Sequence, residues 1–410
     1  MFVSSSVAHE VVDELSSKRS PAKETRPLTV LQVVPWMEIG GIERVTLEIT
    51  EAIVREGGRA LIATAGGQML PRVTKAGGEV IAMNLDTKNP LNIWQNARLL
   101  ARLIGDLGVD IVHARSRAPA WSAYWATRRT GAHFITTYHR AYREEFPFKR
   151  RYNAVMAKGR PLIAVSTFIR NLVIKRHQMP PEQIVTIPRG VDPTVFSEEM
   201  VGNERTVKLA DQLGLMDDPR PVIMLPGQLA RRKGGEDLIE AVQRLRAMRD
   251  GGFLILLVGD DDGSGYEKVL RKRIDKLRVG DIVHLVGGCS DMAAALKLAS
   301  VVVSTSTEPE AFGRAIIEAQ AMGRPVVATD HGGVRETVAH GESGWLYPPG
   351  DVARLTIELN KALNLDPSER AHIGMAARAR IHSQYTVAAM QRATLDVYEQ
   401  AAGRTFAELI

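Results

Sequence analysis

Short apolar runs rich in valine, isoleucine and leucine recur along the chain, at residues 28–34, 60–63, 79–82, 111–113, 133–137, 163–166 and 184–187. A second series follows at 222–227, 254–258, 282–287, 301–304 and 325–328. Most lack the strict alternation of a strand with one wet face, so they suit parallel strands covered on both sides, and the longer mixed stretches between them suit helices. The pattern predicts two successive series of alternating strands and helices, which is the signature of an α/β protein with parallel sheets.

The sharpest local feature lies after the run Val301-Val302-Val303-Ser304. Pro309 and Gly313 punctuate a loop, residues 314–322 read as a helix, and Gly323 ends it before Pro325-Val326-Val327-Ala328. Two glutamates, Glu310 and Glu318, stand in this unit with seven residues between them, the first in the loop and the second inside the helix. The first N–H groups of a helix lack internal partners and sit at the positive end of the macrodipole, so they receive an anion. A carboxylate only accepts hydrogen bonds, so it suits sugar hydroxyls and repels phosphate oxygens. The ligand that satisfies both is a nucleoside-diphosphate sugar.

The first strand leads into Ile39-Gly40-Gly41 and a helix from about Ile42. This is the first strand-to-helix turn of a doubly wound domain, and adjacent glycines let a backbone approach a phosphate. The G-x-G-x-x-G spacing of a dinucleotide site is missing, which counts against an oxidoreductase.

From Glu310 through Gly323-Arg324-Pro325-Val326-Val327 and His331-Gly332-Gly333-Val334-Arg335-Glu336 to Gly344-Trp345-Leu346-Tyr347, the sequence closely resembles the donor-binding signature of family 4 retaining glycosyltransferases. The resemblance implies the GT-B architecture, two Rossmann-like domains facing each other across a cleft. The domains are expected at residues 27–200, on the acceptor side, and 201–384, for the nucleotide-sugar donor. The linker is expected between about 195 and 220, with a C-terminal helix at about 385–410 packing back on the first domain.

The resemblance also implies roles. Glu310 would bind hydroxyls of the transferred sugar and Glu318 the nucleotide ribose, while Gly40, Gly41, Phe312 and Gly313 would offer backbone to the diphosphate. His139 takes the place of a histidine that faces the sugar, and His113 is a second candidate, with Arg115 beside it on the acceptor side. The family pattern Gly-Arg-Leu, three residues, Lys-Gly appears as Gly227-Gln228-Leu229-Ala230-Arg231-Arg232-Lys233-Gly234. Lys233 matches the lysine that neutralises the departing diphosphate, but Gln228 replaces the arginine. The missing charge would have to come from Arg231 or Arg232. Arg189 likewise departs from the family's usual Asn-Gly-Val-Asp.

Arg140, Arg143, Lys149, Arg150, Arg151, Lys158 and Arg160 are interleaved with Tyr142, Phe146, Phe148 and Tyr152 in a chain that is only 5% aromatic. Such a segment suits an anionic membrane surface or an acidic acceptor. The net charge of +6 and pI near 9.4 agree with that reading, and the small excess with no binding motif argues against nucleic acid.

The length of 410 residues and 45% hydrophobic content suffice for two cores. The lone cysteine, Cys289, rules out an internal disulfide framework or a cysteine metal cluster. Asp260-Asp261-Asp262 could bind a hard cation, but the family has a comparable loop without one, so no metal and no cofactor are expected. No apolar run approaches the roughly 20 residues that span a bilayer. Residues 1–26 read as a mobile polar tail rather than a signal peptide.

The expectation is therefore a cytoplasmic or peripheral glycosyltransferase. It would move a sugar from a nucleotide-sugar donor to a glycan or lipid-linked acceptor, in lipopolysaccharide or other envelope glycan synthesis. The alternatives are a nucleotide-sugar isomerase or epimerase on the same fold, and a catalytically degenerate membrane-binding protein.

Overall fold

The computed structural model describes residues 26–142, 146–249 and 252–406. Arg143 and all but the last residue of the expected tail lie outside them. The chain divides into two compact units, one of Met1–Pro188 with Met390–Ile410 and the other of Arg189–Ala389.

The first unit is built on seven strands: β1 (Thr29–Val33), β2 (Arg59–Thr64), β3 (Glu79–Ala82), β4 (Ile111–Ala114), β5 (His133–Tyr138), β6 (Leu162–Ala164) and β7 (Ile184–Thr186). All neighbours run parallel, in the order β3-β2-β1-β4-β5-β6-β7. Every residue of β1 is buried, as its unbroken apolar run requires. The order reverses between β1 and β4, and loops that leave the carboxyl ends of two such strands diverge. The Gly40-Gly41 turn follows β1 and starts the helix Gly41–Arg55.

The helix Val387–Ala402 is the last among the described residues, and most of it belongs to the first unit. Gln391 Nε2 donates to the Glu48 carbonyl at 2.6 Å, and Tyr398 Oη lies 2.6 Å from His113 Nδ1. Arg404 and Arg26 both pair with Asp110, each at 2.6 Å. Burial pushes the Asp110 carboxyl up, but the two guanidiniums and the Thr29 N–H outweigh it and hold it below the usual range.

The second unit carries six strands: β8 (Val222–Pro226), β9 (Leu254–Val258), β10 (Val283–Gly287), β11 (Val301–Ser304), β12 (Val326–Thr329) and β13 (Trp345–Tyr347). They form a parallel sheet in the order β10-β9-β8-β11-β12-β13. Its core joins Ile223, Leu225, Ile255, Leu257, Val301 and Val303 to Leu238, Val242 and Leu245 of the helix Gly235–Met248. As in the first unit, the order reverses between two central strands, here β8 and β11. The loops after these two strands carry Lys233 and Glu310.

The division between units falls after Pro188, and the stretch expected as a linker is not extended chain. It contains the helix Asn203–Gln212, which the second unit holds through a two-pronged Arg205–Asp291 pair at 2.8 and 2.9 Å. Among the described residues no helix is long and apolar enough to cross a membrane.

Candidate active site

Glu310 stands in the loop between β11 and the helix Arg314–Ala321. Its Oε1 receives the Lys233 ammonium at 2.6 Å and the Ser306 hydroxyl. The two side chains are 17% and 19% exposed, so the pair is largely shielded from water. Burial alone would raise the Glu310 carboxyl, but Lys233, the Ser306 hydroxyl and the field of Arg232 hold it down at about 2. It is therefore an anion throughout the physiological range.

Lys233 reaches Glu310 because two loops meet without spare room. Residues Arg231–Lys233 form one 3-10 turn ended by Gly234, whose φ of +65° favours glycine. A Cβ on Gly234 would run into the Thr305 carbonyl oxygen. Thr305 Oγ1 in turn donates to the Lys233 carbonyl at 2.8 Å, and the Thr307 N–H donates to the Arg232 carbonyl at 2.9 Å. The same geometry distinguishes the two arginines. Arg232 is half-buried and its charge acts on Glu310, whereas Arg231 is exposed, 3.7 Å from Glu236 and over the Tyr266 ring. Gln228 is exposed in the loop after β8.

Phe312 is buried edge-on against Tyr385, with ring centroids 5.5 Å apart, so its backbone and not its ring is available to a ligand. Gly313 caps the helix at φ +87°, where a Cβ would sit 2.8 Å from Val334. Glu318, one and a half turns into that helix, is buried and accepts from Arg314 Nε at 3.1 Å.

In the first unit, His139 is the first residue beyond β5 and is buried, while Arg140, Arg150 and Arg151 are exposed. Gly40 and Gly41 sit at the start of their helix, with the Glu43 side chain against Gly40. His113 and Arg115 differ from expectation. Both are enclosed, His113 between Tyr398 and Thr137 Oγ1 (2.7 Å), and Arg115 with Nε donating to Gln32 Oε1 at 2.8 Å. With the C-terminal helix packed over them, neither lines a surface.

The aspartates 260–262 also have local work. Asp260 Oδ1 accepts the Gly288 N–H at 2.8 Å, and Asp261 accepts the N–H groups of Gly263, Gly265 and Glu267 at 2.7–3.0 Å. Those bonds fold the loop that starts the helix Tyr266–Leu277. Sequence reasoning gave no role to Ser306, His331 or Glu43. The only signal for them was adjacency to the glutamate and glycine motifs.

Two Rossmann-like units in one chain, with a lysine–glutamate pair where the central loops of the second unit meet, place the protein among the GT-B glycosyltransferases. Residues 210–380 match the family model for glycosyl transferases group 1, and residues 39–195 match that for glycosyltransferase family 4. The chain belongs to this family and is a glycosyltransferase. A solved glycosyltransferase from Rickettsia africae is 33% identical with a TM-score of 0.83, over 92% of this chain and 98% of that one. The phosphatidyl-myo-inositol mannosyltransferase of Mycobacterium leprae is 26% identical over 88% of this chain and 94% of its own. The MMP alpha-(1->4)-mannosyltransferase of Mycolicibacterium hassiacum is 30% identical, but the match spans only 55% of that protein. Anabaena HepE, solved in complex with UDP-glucose, shares the fold at 24% identity and a TM-score of 0.78.

Proposed function

We propose that the protein transfers a sugar from a nucleoside diphosphate to a hydroxyl of a glycan or lipid-linked acceptor, with retained anomeric configuration. The observation that carries this reading is the Lys233–Glu310 pair with Arg232 beside it. A carboxylate able to accept sugar hydroxyls, next to two cations at a helix start, supports such a ligand. As the bond from the anomeric carbon to the diphosphate breaks, its electrons move to the phosphate oxygens. The acceptor oxygen then bonds to that carbon on the face the diphosphate leaves, which keeps the configuration, and its proton passes to an oxygen of the departing diphosphate.

Charge developing on a leaving group is best met by donors already fixed in place. Lys233 and Arg232 fill that role together with the amides near Gly313, and Arg232 supplies the charge that Gln228 lacks. Glu310 binds the sugar and Glu318 the ribose. The family pattern adds Gly40, Gly41 and His139 from the first unit. Basic side chains replace a metal ion in this scheme.

For the acceptor, the basic aromatic segment favours an anionic lipid-rich surface and hence envelope glycan synthesis. Phe146 and Phe148 are 52% and 69% exposed and stacked, beside a cavity of about 620 Å³ lined by Arg150, Arg151 and Arg176. The mannosyltransferase of M. leprae, whose name includes a phosphatidylinositol, supports the same direction.

The test is incubation with nucleotide sugars and envelope lipids in anionic vesicles. The expected product keeps the donor's anomeric configuration by proton NMR, and the enzyme sediments with the vesicles and is released by salt. An inverted product contradicts the mechanism, as does an isomerised nucleotide sugar formed without acceptor. Failure to sediment contradicts the membrane partner.

A further inference from the structure

The loop after β12, Asp330-His331-Gly332-Gly333, lies against the Glu310 loop. The Gly333 N–H donates to the Glu310 carbonyl at 2.8 Å. Added Cβ atoms on Gly332 and Gly333 would strike the carbonyl oxygens of Glu310 and Ala311. The His331 N–H donates to the Thr329 carbonyl at 2.9 Å, which fixes the backbone that carries the ring. His331 is therefore held beside the pair just described.

The ring lies beside the Ser306 backbone, which favours its protonated form. Nε2 is buried and has no partner among the described residues, so the tautomer with its proton on Nδ1 offers a lone pair there to a ligand hydroxyl. Burial, with the field of Arg335 acting in the same direction, outweighs the Ser306 backbone and the fields of Glu310 and Asp330 and pulls the imidazole below its ordinary range, which favours the neutral ring. Ser306 adjoins both, its hydroxyl bonded to Glu310 and its backbone beside His331. Glu310 Oε1 is taken by Lys233 and Ser306, while Oε2 keeps acceptor capacity.

We propose that His331 is a specificity-determining residue whose Nε2 accepts a hydroxyl of the transferred sugar beside the one bound by Glu310. Two adjacent acceptors select a sugar with two free neighbouring hydroxyls. They reject one that is deoxygenated or substituted at either position, because a buried acceptor is then left unpaired. This inference rests on the donor-site assignment above, and it names a chemical feature of the sugar rather than of the nucleotide.

The experiment measures binding of a nucleoside diphosphate and of the matching nucleotide sugar by calorimetry, for wild type, His331→Ala and His331→Gln, with melting curves as a folding control. In His331→Ala the nucleotide-sugar Kd is expected to rise about 10- to 100-fold. The Kd of the nucleoside diphosphate should change less than about twofold, and discrimination against a monodeoxy sugar should collapse. His331→Gln, which can still accept a hydrogen bond, should recover part of the loss. Wild-type binding of the nucleotide sugar should weaken on acidification as Nε2 takes a proton, and His331→Ala should lack that limb.

Equal weakening of nucleoside diphosphate and nucleotide sugar would overturn the proposal, because it would mean general damage to the loop. Unchanged sugar affinity in His331→Ala would overturn it while leaving the donor site intact. Failure of the wild type to bind any nucleoside diphosphate would overturn the donor site itself, and this inference with it.

Discussion

Replacing Lys233 by alanine is expected to lower kcat by about 10²- to 10³-fold in a protein that stays folded. The ammonium is the group most directly placed to meet charge on a departing diphosphate, because its neighbours hold it 2.6 Å from Glu310. The turn that carries it depends on backbone contacts to Thr305 and Thr307, which the substitution leaves in place. Arg232 still acts on Glu310, so the carboxylate is not stranded without a cation. The loss should fall on turnover more than on nucleotide affinity, since the residue proposed to bind the ribose, Glu318, is left in place. Steady-state donor turnover with a circular-dichroism melt checks this, and full activity in a folded variant would sink the assignment.

Glu310→Gln should be similarly inactive and should also change the response to acid. The carboxyl is held at about 2 in the folded chain against an ordinary 4.5. A depressed folded value contributes stability that is complete above the unfolded value and disappears as pH falls from about 4.5 towards 2. The difference corresponds to about 3 kcal/mol for this largely shielded pair. Wild type should therefore lose more stability than Glu310→Gln between pH 5 and pH 2 (about the window set by the two values). At neutral pH the variant should be the less stable, because it leaves Lys233 without its counter-charge. Urea melts across that range measure the effect, and parallel curves for the two proteins would contradict the pairing.

The strands were legible because parallel strands buried on both faces must be apolar throughout, so β1, β8, β9 and β11 stand out in the sequence. β13 has only three residues and was visible only within the glutamate–glycine signature. The helix Asn203–Gln212 was missed because it buries a single residue, Ala210, and otherwise reads as polar linker. The enclosure of His113 and Arg115 was beyond local reading. The run Ala114-Arg115-Ser116-Arg117 looks like surface, and the Tyr398 that covers His113 lies 285 positions away. In the site, Glu310, Glu318 and Lys233 carried a recognisable spacing. The choice between Arg231 and Arg232 did not, because it depends on how one 3-10 turn rotates against a loop some 75 residues later (about the separation of Lys233 and Glu310). Ser306 and His331 became functional candidates only once two loops were seen packed on Glu310.

A nucleotide-sugar site in the second unit can be tested by thermal stabilisation of wild type and Glu318→Ala with a panel of UDP-, GDP- and ADP-sugars. A ligand that binds the folded state alone raises the melting temperature, by a stabilisation that grows with the logarithm of one plus the ratio of its concentration to Kd. One donor is expected to stabilise the wild type and fail to stabilise Glu318→Ala, which would also name the nucleotide. A donor that stabilises both proteins equally would contradict the site.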